Sequence, residues 1–350
     1  MYEEIIYEVE DPVATITINR PERLNALTAR TQVELKHAMI AAERDERVVG
    51  IVLTGAGRAF SAGADMRSLA EIADASRAPS RGGQAARPFE TPRSDASWPS
   101  GRAEADPSRA SGRAEEDPSR ASGRTEEDPA SASGRAEEGP SRASGRTEDG
   151  HSRDSARTVA QLEAESRGRE VDPEFRVTWS FIPSLKKPVI AAVNGPCAGM
   201  STAIATMCDL RFASESAVFT TSFSQRGLVA EHGLSWMLPR LVGPAKALDL
   251  LWSARRVDAR EAERLGLVDR VVPGDELLAT ARGYIEDLAA HASPTSIMVM
   301  KRQVYLHLMR PLHEAMEETN RLMAESLRRD DFREGVASFV EKRAPAFPRV

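Results

Sequence analysis

A long polar segment divides the chain and limits what can fold. From about Ser76 to Val171 the sequence consists of Arg, Ser, Gly, Ala, Glu, Asp and Pro, with very few apolar residues. Such a segment cannot bury enough apolar surface to offset the entropy lost on ordering, so we expect residues 77–170 to be disordered. The folded structure must therefore come from the sequence on either side of this insert.

Five tandem repeats of 11 residues occupy residues 100–154 of the insert, and the first is SGRAEADPSRA. A repeat of this length can indicate a right-handed coiled coil, but each unit offers only alanine to an apolar stripe. Each unit also contains glycine, and most contain proline, which disfavour helices. We interpret the repeats as a solvated chain of mixed charge, and an arm that binds a partner is the alternative.

The sequence before the insert alternates between strand and helix patterns. Residues 3–19 contain two alternating apolar runs joined by Asp11-Pro12, which predicts a β-hairpin. Residues 31–44 have helical spacing of apolar side chains. Residues 48–53 form a short apolar run that is typical of a buried strand.

The sequence after the insert continues this alternation and then becomes mostly helical in pattern. Residues 188–193 form a second buried-strand run, followed by a glycine loop and a helical pattern. We therefore predict an α/β fold of crossover units, formed by residues 1–76 and 171–255. Residues 256–350 are predicted to form a helical C-terminal region.

Composition and missing motifs exclude several classes of function. The net charge of −6 provides no basic field to attract nucleic acid. No apolar run reaches about 18 residues, so a membrane span is not expected. Two cysteines do not make a disulfide scaffold and suit a reducing cytoplasm. No HExxH or CxxC spacing indicates a metal site, and neither a phosphate loop nor a GxSxG nucleophile motif occurs.

Two glycine-containing loops are the strongest candidates for chemistry. The first glycine loop is Gly57–Leu69, and the second glycine loop is Asn194–Leu210. Each follows a predicted strand and opens a helical pattern, which directs free backbone N–H groups at whatever lies in front of the helix. Two such amides that converge would form an oxyanion hole for negative charge developing on a carbonyl oxygen. Simple turn geometry is the alternative for either loop taken alone.

Longer motifs around these loops resemble one enzyme family in their order and spacing. They are NRPERLNAL, FSAGADM, KKPVIAAVNGPCAGM, MCDLRFAS, LPRLVGPAKALDLL, RLGLVDRVVP and REGVASFVEKRAPAF. Together they resemble the enoyl-CoA hydratase/isomerase (crotonase) family over essentially the whole chain outside the insert. The resemblance implies a crotonase-type ββα superhelix, an acyl-CoA thioester substrate, no separate cofactor, and a homotrimer or hexamer assembled through C-terminal helices. It also implies a role in fatty acid metabolism.

The resemblance assigns site residues one by one. The two oxyanion-hole amides would be those of Ala64 and Met200, whose side chains do not matter for that role. Contacts to the CoA part of the substrate would come from Arg23, Ala62, Ala64, Asp65, Met66, Arg67, Phe339 and Lys342. For Arg23 and Lys342, an ordinary solvated cation is the alternative.

The acid/base residues are where the chain departs from a typical hydratase of the family, which uses two glutamates. The matching positions here are Ala203 and Phe223, and neither can transfer a proton. Glu231, four residues after Gly227, resembles the acid/base carboxylate of Δ3,Δ2-enoyl-CoA isomerases. Its neighbours Leu228, Val229, Leu234 and Trp236 predict burial in an apolar pocket.

Three functions remain open from the sequence. The first is an isomerase that uses Glu231 alone, and the second is a hydratase that uses one carboxylate and an ordered water. The third is a catalytically silent CoA-binding or scaffold protein. Glu231 could instead cap a helix or pair with an arginine, and His232 could supply a second acid. Asp209 is expected to fix a helix end or a loop by hydrogen bonding, and Cys208 to lie in the core.

Overall fold

A computed structural model describes residues 2–67, 70, 71, 74, 157–167, 169 and 171–350. The five repeats lie outside the described residues, as does most of the predicted insert. Before the insert, the predicted hairpin is present: β1 (Ile5–Glu10) pairs antiparallel with β2 (Val13–Ile18) across Asp11-Pro12.

A six-stranded sheet forms the centre of the described structure. Its strands lie in the order β1-β2-β3-β4-β6-β9, and all neighbours after the first pair are parallel. The later strands are β3 (Gly50–Gly55), β4 (Val189–Val193), β6 (Leu210–Ser214) and β9 (Arg270–Val272). Long connections that carry helices join these parallel strands, as crossover units require.

Both faces of this sheet are buried, which explains why its strands are nearly continuous apolar runs. Ile51 and Leu53 of β3 face the core that includes helix α1 (Ala29–Arg44). Val52, between them, faces the opposite side, where helix α7 (Leu277–His291) covers the sheet with Ile285. Successive side chains of β3 therefore pack into two different apolar layers, one on each face of the sheet.

A second, three-stranded sheet lies in the same part of the fold and supports the second glycine loop. It consists of β5 (Cys197–Ala198), β7 (Val218–Thr220) and β8 (Val257–Asp258), in the order β5-β7-β8. The pair β5–β7 is parallel, and β7–β8 is antiparallel.

Helices make up most of the remaining described chain. They are α1, α2 (Val159–Glu165), α3 (Met200–Met207), α4 (Leu234–Val242), α5 (Pro244–Ser253), α6 (Ala259–Leu265), α7, α8 (Pro294–His307), α9 (Leu312–Ser326) and α10 (Asp330–Glu341). Short 3-10 turns occur at Pro21–Arg23, Pro173–Phe175, Thr178–Phe181 and Ser224–Arg226. Within the described residues, no helix combines the length and the apolar character that crossing a membrane requires.

Helix α2 corrects the predicted extent of the disordered insert, because it lies inside residues 77–170. Thr158 caps the helix, and Leu162 is fully buried where α2 packs against α1. Just beyond, Arg169 pairs with Glu43 of α1 through Nε and Oε2 at 2.6 Å. The burial of Leu162 and these polar contacts hold the last part of the predicted insert against α1. Its polar composition had led us to predict disorder there.

The C-terminal region also differs from the prediction, because residues 256–350 are not purely helical. Strand β8 joins the three-stranded sheet, and β9 pairs parallel with β6 at the edge of the central sheet. These strands have two and three residues. Such short runs carry too little periodic pattern to be separated from the helices around them.

Candidate active site

The two glycine loops leave the central sheet side by side. The first glycine loop follows β3 and the second follows β4, and these strands are adjacent and parallel, with Ile51 opposite Val189. Parallel strands end at the same edge of a sheet, so both loops emerge together. Two segments that are 125 residues or more apart in sequence are thus neighbours in space.

Direct contacts hold the loops together. The Ala198 amide donates to the Ser61 carbonyl at 3.1 Å, and the Ser201 hydroxyl donates to the same carbonyl at 2.7 Å. Gly63 has a φ of +91°, and a Cβ there would lie 2.5 Å from the Ala198 carbonyl oxygen. This close approach therefore requires glycine at position 63.

The Ala64 and Met200 amides are left free by the pairing around them. Leu27 donates to the Gly63 carbonyl and accepts from Asp65, and this parallel bridge does not use the Ala64 N–H. Met200 is the first residue of α3, where an N–H has no partner within the helix. In the described part of the chain, neither amide donates to a protein acceptor.

One cavity of about 70 Å³ brings together Ala62, Ala64, Met66, Met200 and Glu231. Gly63 also lines it, and the position of a Cβ on Gly63 would be 3.6 Å from the Met200 nitrogen. Among the described residues, those that line the cavity therefore include two with unpaired amides and one with a carboxylate. This combination can stabilise an oxyanion and move a proton at a neighbouring carbon.

Glu231 is not buried as its sequence neighbours predicted. Its side chain is 38% exposed, and Val229 is 78% exposed. The segment before α4 is a surface turn, so the apolar residues adjacent in sequence do not enclose the carboxylate. Among the described residues, the carboxylate caps no helix and pairs with no arginine. Within 4 Å, the one ionisable group that the described residues bring to it is the imidazole of His232, whose Nε2 lies 3.7 Å from Glu231 Oε2.

His232 lines the same cavity in an unusual backbone conformation. Its φ is +56°, a region that residues other than glycine seldom occupy. Its side chain is 20% exposed. Burial lowers the pKa of His232 below its ordinary value, and the Glu231 carboxylate partly opposes this. The imidazole beside Glu231 is therefore neutral near pH 7.

The two positions that match hydratase glutamates differ in their surroundings. Phe223 is buried and lines the cavity, so an apolar ring stands where a carboxylate is expected. Ala203 is fully buried in α3 and does not line the cavity. Of the described residues that line the cavity, Glu231 is the one acidic residue.

The residues assigned to CoA contacts fall into two groups. Ala62, Ala64 and Met66 line the cavity. The other assigned residues do not: Arg23, Asp65, Arg67, Phe339 and Lys342. Arg23 and Arg67 are exposed, as are Phe339 and Lys342 in and after α10, so all four remain accessible to a ligand.

Asp65 makes protein contacts where a contact to the substrate was expected. Its carboxylate accepts from the Arg67 amide at 2.9 Å and lies 3.4 Å from Arg20 Nη1. These two contacts, the first more than the second, hold the pKa of Asp65 below its usual value. The carboxylate therefore positions the start of the helical turn after the first glycine loop.

Two other predicted structural residues are confirmed. Asp209 Oδ2 accepts from the Val189 amide at 2.7 Å and pairs with Lys301 Nζ at 2.6 Å, which fixes the start of β4. Cys208 is buried, and burial raises the pKa of its thiol to about 12. In the ranges that the structure covers, no group of acidic, histidine and cysteine side chains is arranged to hold a metal ion.

Some cavity residues were missed by the sequence analysis, namely Thr221, Ser222 and Arg226. Ser222 has a φ of +58°, and Arg226 Nη1 donates to its carbonyl at 2.7 Å. These residues carry no recognisable motif. They reach the cavity because β7 pairs with β5 and directs the following loop past the second glycine loop.

Comparisons with known proteins show which family the sequence matches. The sequence profile described as enoyl-CoA hydratase/isomerase matches residues 8–85 and 157–349. A probable enoyl-CoA hydratase from Rhizobium meliloti is 29% identical over 99% of this chain and 98% of its own length. A probable enoyl-CoA hydratase from Mycobacterium tuberculosis is 28% identical with the same coverage.

Solved structures support the fold. The crystal structure of an enoyl-CoA hydratase subunit from Geobacillus kaustophilus has a TM-score of 0.65 and 27% identity, over 99% of this chain and 98% of that chain. An enoyl-CoA hydratase from Bacillus anthracis has a TM-score of 0.66 at 22% identity, over 99% of both chains. The α/β superhelix expected from the sequence is therefore confirmed.

Proposed function

The chain belongs to the enoyl-CoA hydratase/isomerase family, and we propose that it is an isomerase that moves a double bond within an enoyl-CoA. The observation that carries this proposal is the single carboxylate of Glu231 in the cavity that also contains the Ala64 and Met200 amides. Phe223 and Ala203 stand at the two positions where a typical hydratase carries its glutamates.

The proposed reaction begins with the thioester carbonyl oxygen accepting hydrogen bonds from the Ala64 and Met200 N–H groups. The Glu231 carboxylate removes a proton from C2 of a 3-enoyl-CoA, and the electron pair moves onto the carbonyl oxygen as a dienolate. The two amides stabilise that negative charge. The Glu231 carboxylic acid then returns the proton to C4, the double bond forms between C2 and C3, and the carbonyl is restored.

One carboxylate is sufficient for this sequence, because the proton leaves and returns on carbons that are two bonds apart. No water enters the product, and the enzyme ends in its starting protonation state. Positioned acid/base groups contribute about 10²–10⁴-fold to such rates.

The test is to give the purified protein a 3-enoyl-CoA and a 2-enoyl-CoA in separate reactions. We expect conversion of the first and no hydration of the second. Glu231→Gln should lower the isomerisation kcat by about 10²–10⁴-fold, because an amide cannot accept the proton. Glu8→Gln on exposed β1 is the matched control and should retain wild-type kcat. Unchanged activity in Glu231→Gln would rule out this mechanism.

Hydration of a 2-enoyl-CoA is the second candidate. It is favoured by the names of the relatives and by the 38% exposure of Glu231, which admits water to the carboxylate. Product analysis separates the two candidates, because hydration yields a 3-hydroxyacyl-CoA. Binding of acyl-CoA without any conversion would instead support the non-catalytic, scaffold alternative.

We also propose that the chain forms homotrimers, alone or paired as hexamers. Helices α8 to α10 expose a run of large apolar side chains, which is typical of an interface. They include Met300, Val304, Leu308, Leu312, Met316, Met323, Leu327, Phe332, Val336, Phe339 and Val340. Sedimentation velocity tests this assembly.

The two buried free thiols, Cys197 and Cys208, support a reducing, cytoplasmic location.

A further inference from the structure

A permanently charged basic side chain lines the candidate active-site cavity. Among the described residues around that cavity, Arg226 is the one lysine or arginine, as Glu231 is the one carboxylate. The two do not pair with each other, and Arg226 Nη1 instead donates to the Ser222 carbonyl at 2.7 Å. A guanidinium carries five N–H donors in a planar fork. Most of these donors therefore have no protein acceptor in the part of the chain that the structure describes.

Backbone contacts fix the turn that carries Arg226. Within this 3-10 turn, the Arg226 amide donates to the Phe223 carbonyl at 2.9 Å, and Gly227 ends the turn with a φ of +68°. Ser224 Oγ donates to the Trp252 carbonyl at 2.9 Å, which attaches the turn to the end of α5. The guanidinium is thus held at the cavity without an ion pair among the described residues. An anion that binds it would therefore displace no carboxylate from that part of the protein.

The hydroxyl groups beside Arg226 already donate their protons to protein acceptors. Thr221 Oγ1 donates to a carbonyl of α5 at 2.8 Å. Thr220 Oγ1 donates to the Ala254 carbonyl at 2.8 Å, so the contact of 3.2 Å between the Thr220 and Ser222 hydroxyls must use the Ser222 proton. Each hydroxyl has one proton to give. Among these neighbouring side chains, the Arg226 guanidinium is therefore the group that can donate to an anion.

We infer that Arg226 binds a second carboxylate at the far end of the acyl group, so that the substrate is the CoA thioester of a dicarboxylic acid. This inference rests on the proposed function and narrows its substrate class. One cavity of about 70 Å³ is lined by both Glu231 and Arg226, so an anion at the guanidinium lies only a few bonds beyond C2 to C4. An acyl chain of six carbons that ends in a carboxylate meets this requirement. The planar fork of arginine matches a carboxylate in geometry as well as in charge.

Charge makes this recognition selective. The Glu231 carboxylate repels a second carboxylate that enters the same cavity, and the Arg226 guanidinium offsets this repulsion. A substrate that ends in a methyl group gains nothing from the guanidinium. Arg226 is exposed, so solvent screens the pair and limits the gain. We therefore expect the guanidinium to favour the dicarboxylic thioester by about fivefold.

Binding of two saturated thioesters tests the inference without turnover. Hexanoyl-CoA and adipyl-CoA differ only at the far end of the acyl group, where the first has a methyl and the second a carboxylate. Titration calorimetry on the full-length protein measures both dissociation constants. Arg226→Gln should weaken adipyl-CoA binding by about fivefold and change hexanoyl-CoA binding by less than about twofold. The retained affinity for hexanoyl-CoA also shows that the variant is folded.

Arg240→Gln is the matched control. Arg240 Nη1 also donates to a backbone carbonyl four residues earlier, that of Trp236, at 2.7 Å. Arg240 does not line the active-site cavity. We expect this variant to bind both thioesters with wild-type affinity, because it loses the same charge at a place that the acyl group does not reach.

The outcomes separate this inference from the proposed function. Equal weakening of both thioesters by Arg226→Gln would assign Arg226 to the CoA part that they share and would overturn the inference, as would two unchanged dissociation constants. In turnover, Arg226→Gln should lower kcat/KM about fivefold more for 3-hexenedioyl-CoA than for 3-hexenoyl-CoA. If the variant loses adipyl-CoA affinity as expected but the wild type converts neither 3-enoyl-CoA, only the isomerase proposal is overturned.

Discussion

Replacing Gly63 with alanine tests how closely the two glycine loops must approach. An alanine Cβ would lie 2.5 Å from the Ala198 carbonyl oxygen, whereas ordinary contacts begin at 3.4 Å, so the loops must separate by about 0.9 Å. The obstructing atom is backbone, which cannot swing aside as a side-chain tip can. Misplacement of catalytic groups by about 1 Å can lower rates by about 10²-fold.

We therefore expect Gly63→Ala to lower kcat for 3-enoyl-CoA conversion by about 100-fold, because the Ala64 and Met200 amides no longer converge on one oxygen. The assay follows the conjugated thioester product by its ultraviolet absorbance. Thermal unfolding of the same samples reports the stability cost. The positive φ of +91° should contribute about 1–3 kcal/mol to that cost.

Gly243→Ala is the matched control. Gly243 has a φ of +82°, but a Cβ there would meet nothing within 4 Å, and the residue does not line the cavity. We expect this variant to lower Tm by several degrees and to retain kcat. If Gly63→Ala lost stability but retained kcat within about threefold of wild type, catalysis would not depend on the close approach of the two loops.

Three further predictions concern stability. Burial lowers the pKa of Lys187 from 10.5 to about 8, so between these pH values the unfolded chain binds more protons than the folded one. The free energy of unfolding of the wild type, compared with that of Lys187→Met, should therefore rise as pH increases through this range. Urea titrations of both proteins measure this difference, and a difference that stays constant or falls would contradict the prediction. Replacing residues 80–152 with a short Gly-Ser linker should leave Tm unchanged, because that sequence offers no core. Leu162→Ala should lower the free energy of unfolding by about 2–5 kcal/mol, since this side chain is fully buried, and an unchanged value would show that α2 does not dock in solution.

The sequence predicted the elements whose pattern is local. The hairpin around Asp11-Pro12 and the strand at Val189–Val193 follow from alternating or continuous apolar runs, and both are present. Helix α2 was missed because Leu162 is one apolar residue in a polar segment. Its burial depends on a surface that α1 provides from far away in sequence.

The candidate site was predictable to a similar degree. The two glycine loops stand out because glycine and helix-start patterns are local signals. The exposure of Glu231 could not be predicted, because the turn before α4 places Val229 in solvent instead of around the carboxylate. A cavity of about 320 Å³ next to His232 was equally hidden, since its lining residues Phe175 and Trp236 approach each other only when the 3-10 turns pack beside α4.

The placement of both glycine loops after adjacent parallel strands bears on how such a site diverges in evolution. The separation between the loops is inherited from the spacing of β3 and β4, about 4.8 Å in any sheet. The proposed anion stabilisation depends on backbone geometry, so substitutions at Ala64 and Met200 that keep the backbone conformation would preserve it. The proposed proton-transfer group is a side chain, that of Glu231, while Phe223 occupies a position where a typical hydratase carries a glutamate. A new reaction can therefore arise by moving one carboxylate to another position, while the two backbone amides of the glycine loops are inherited unchanged.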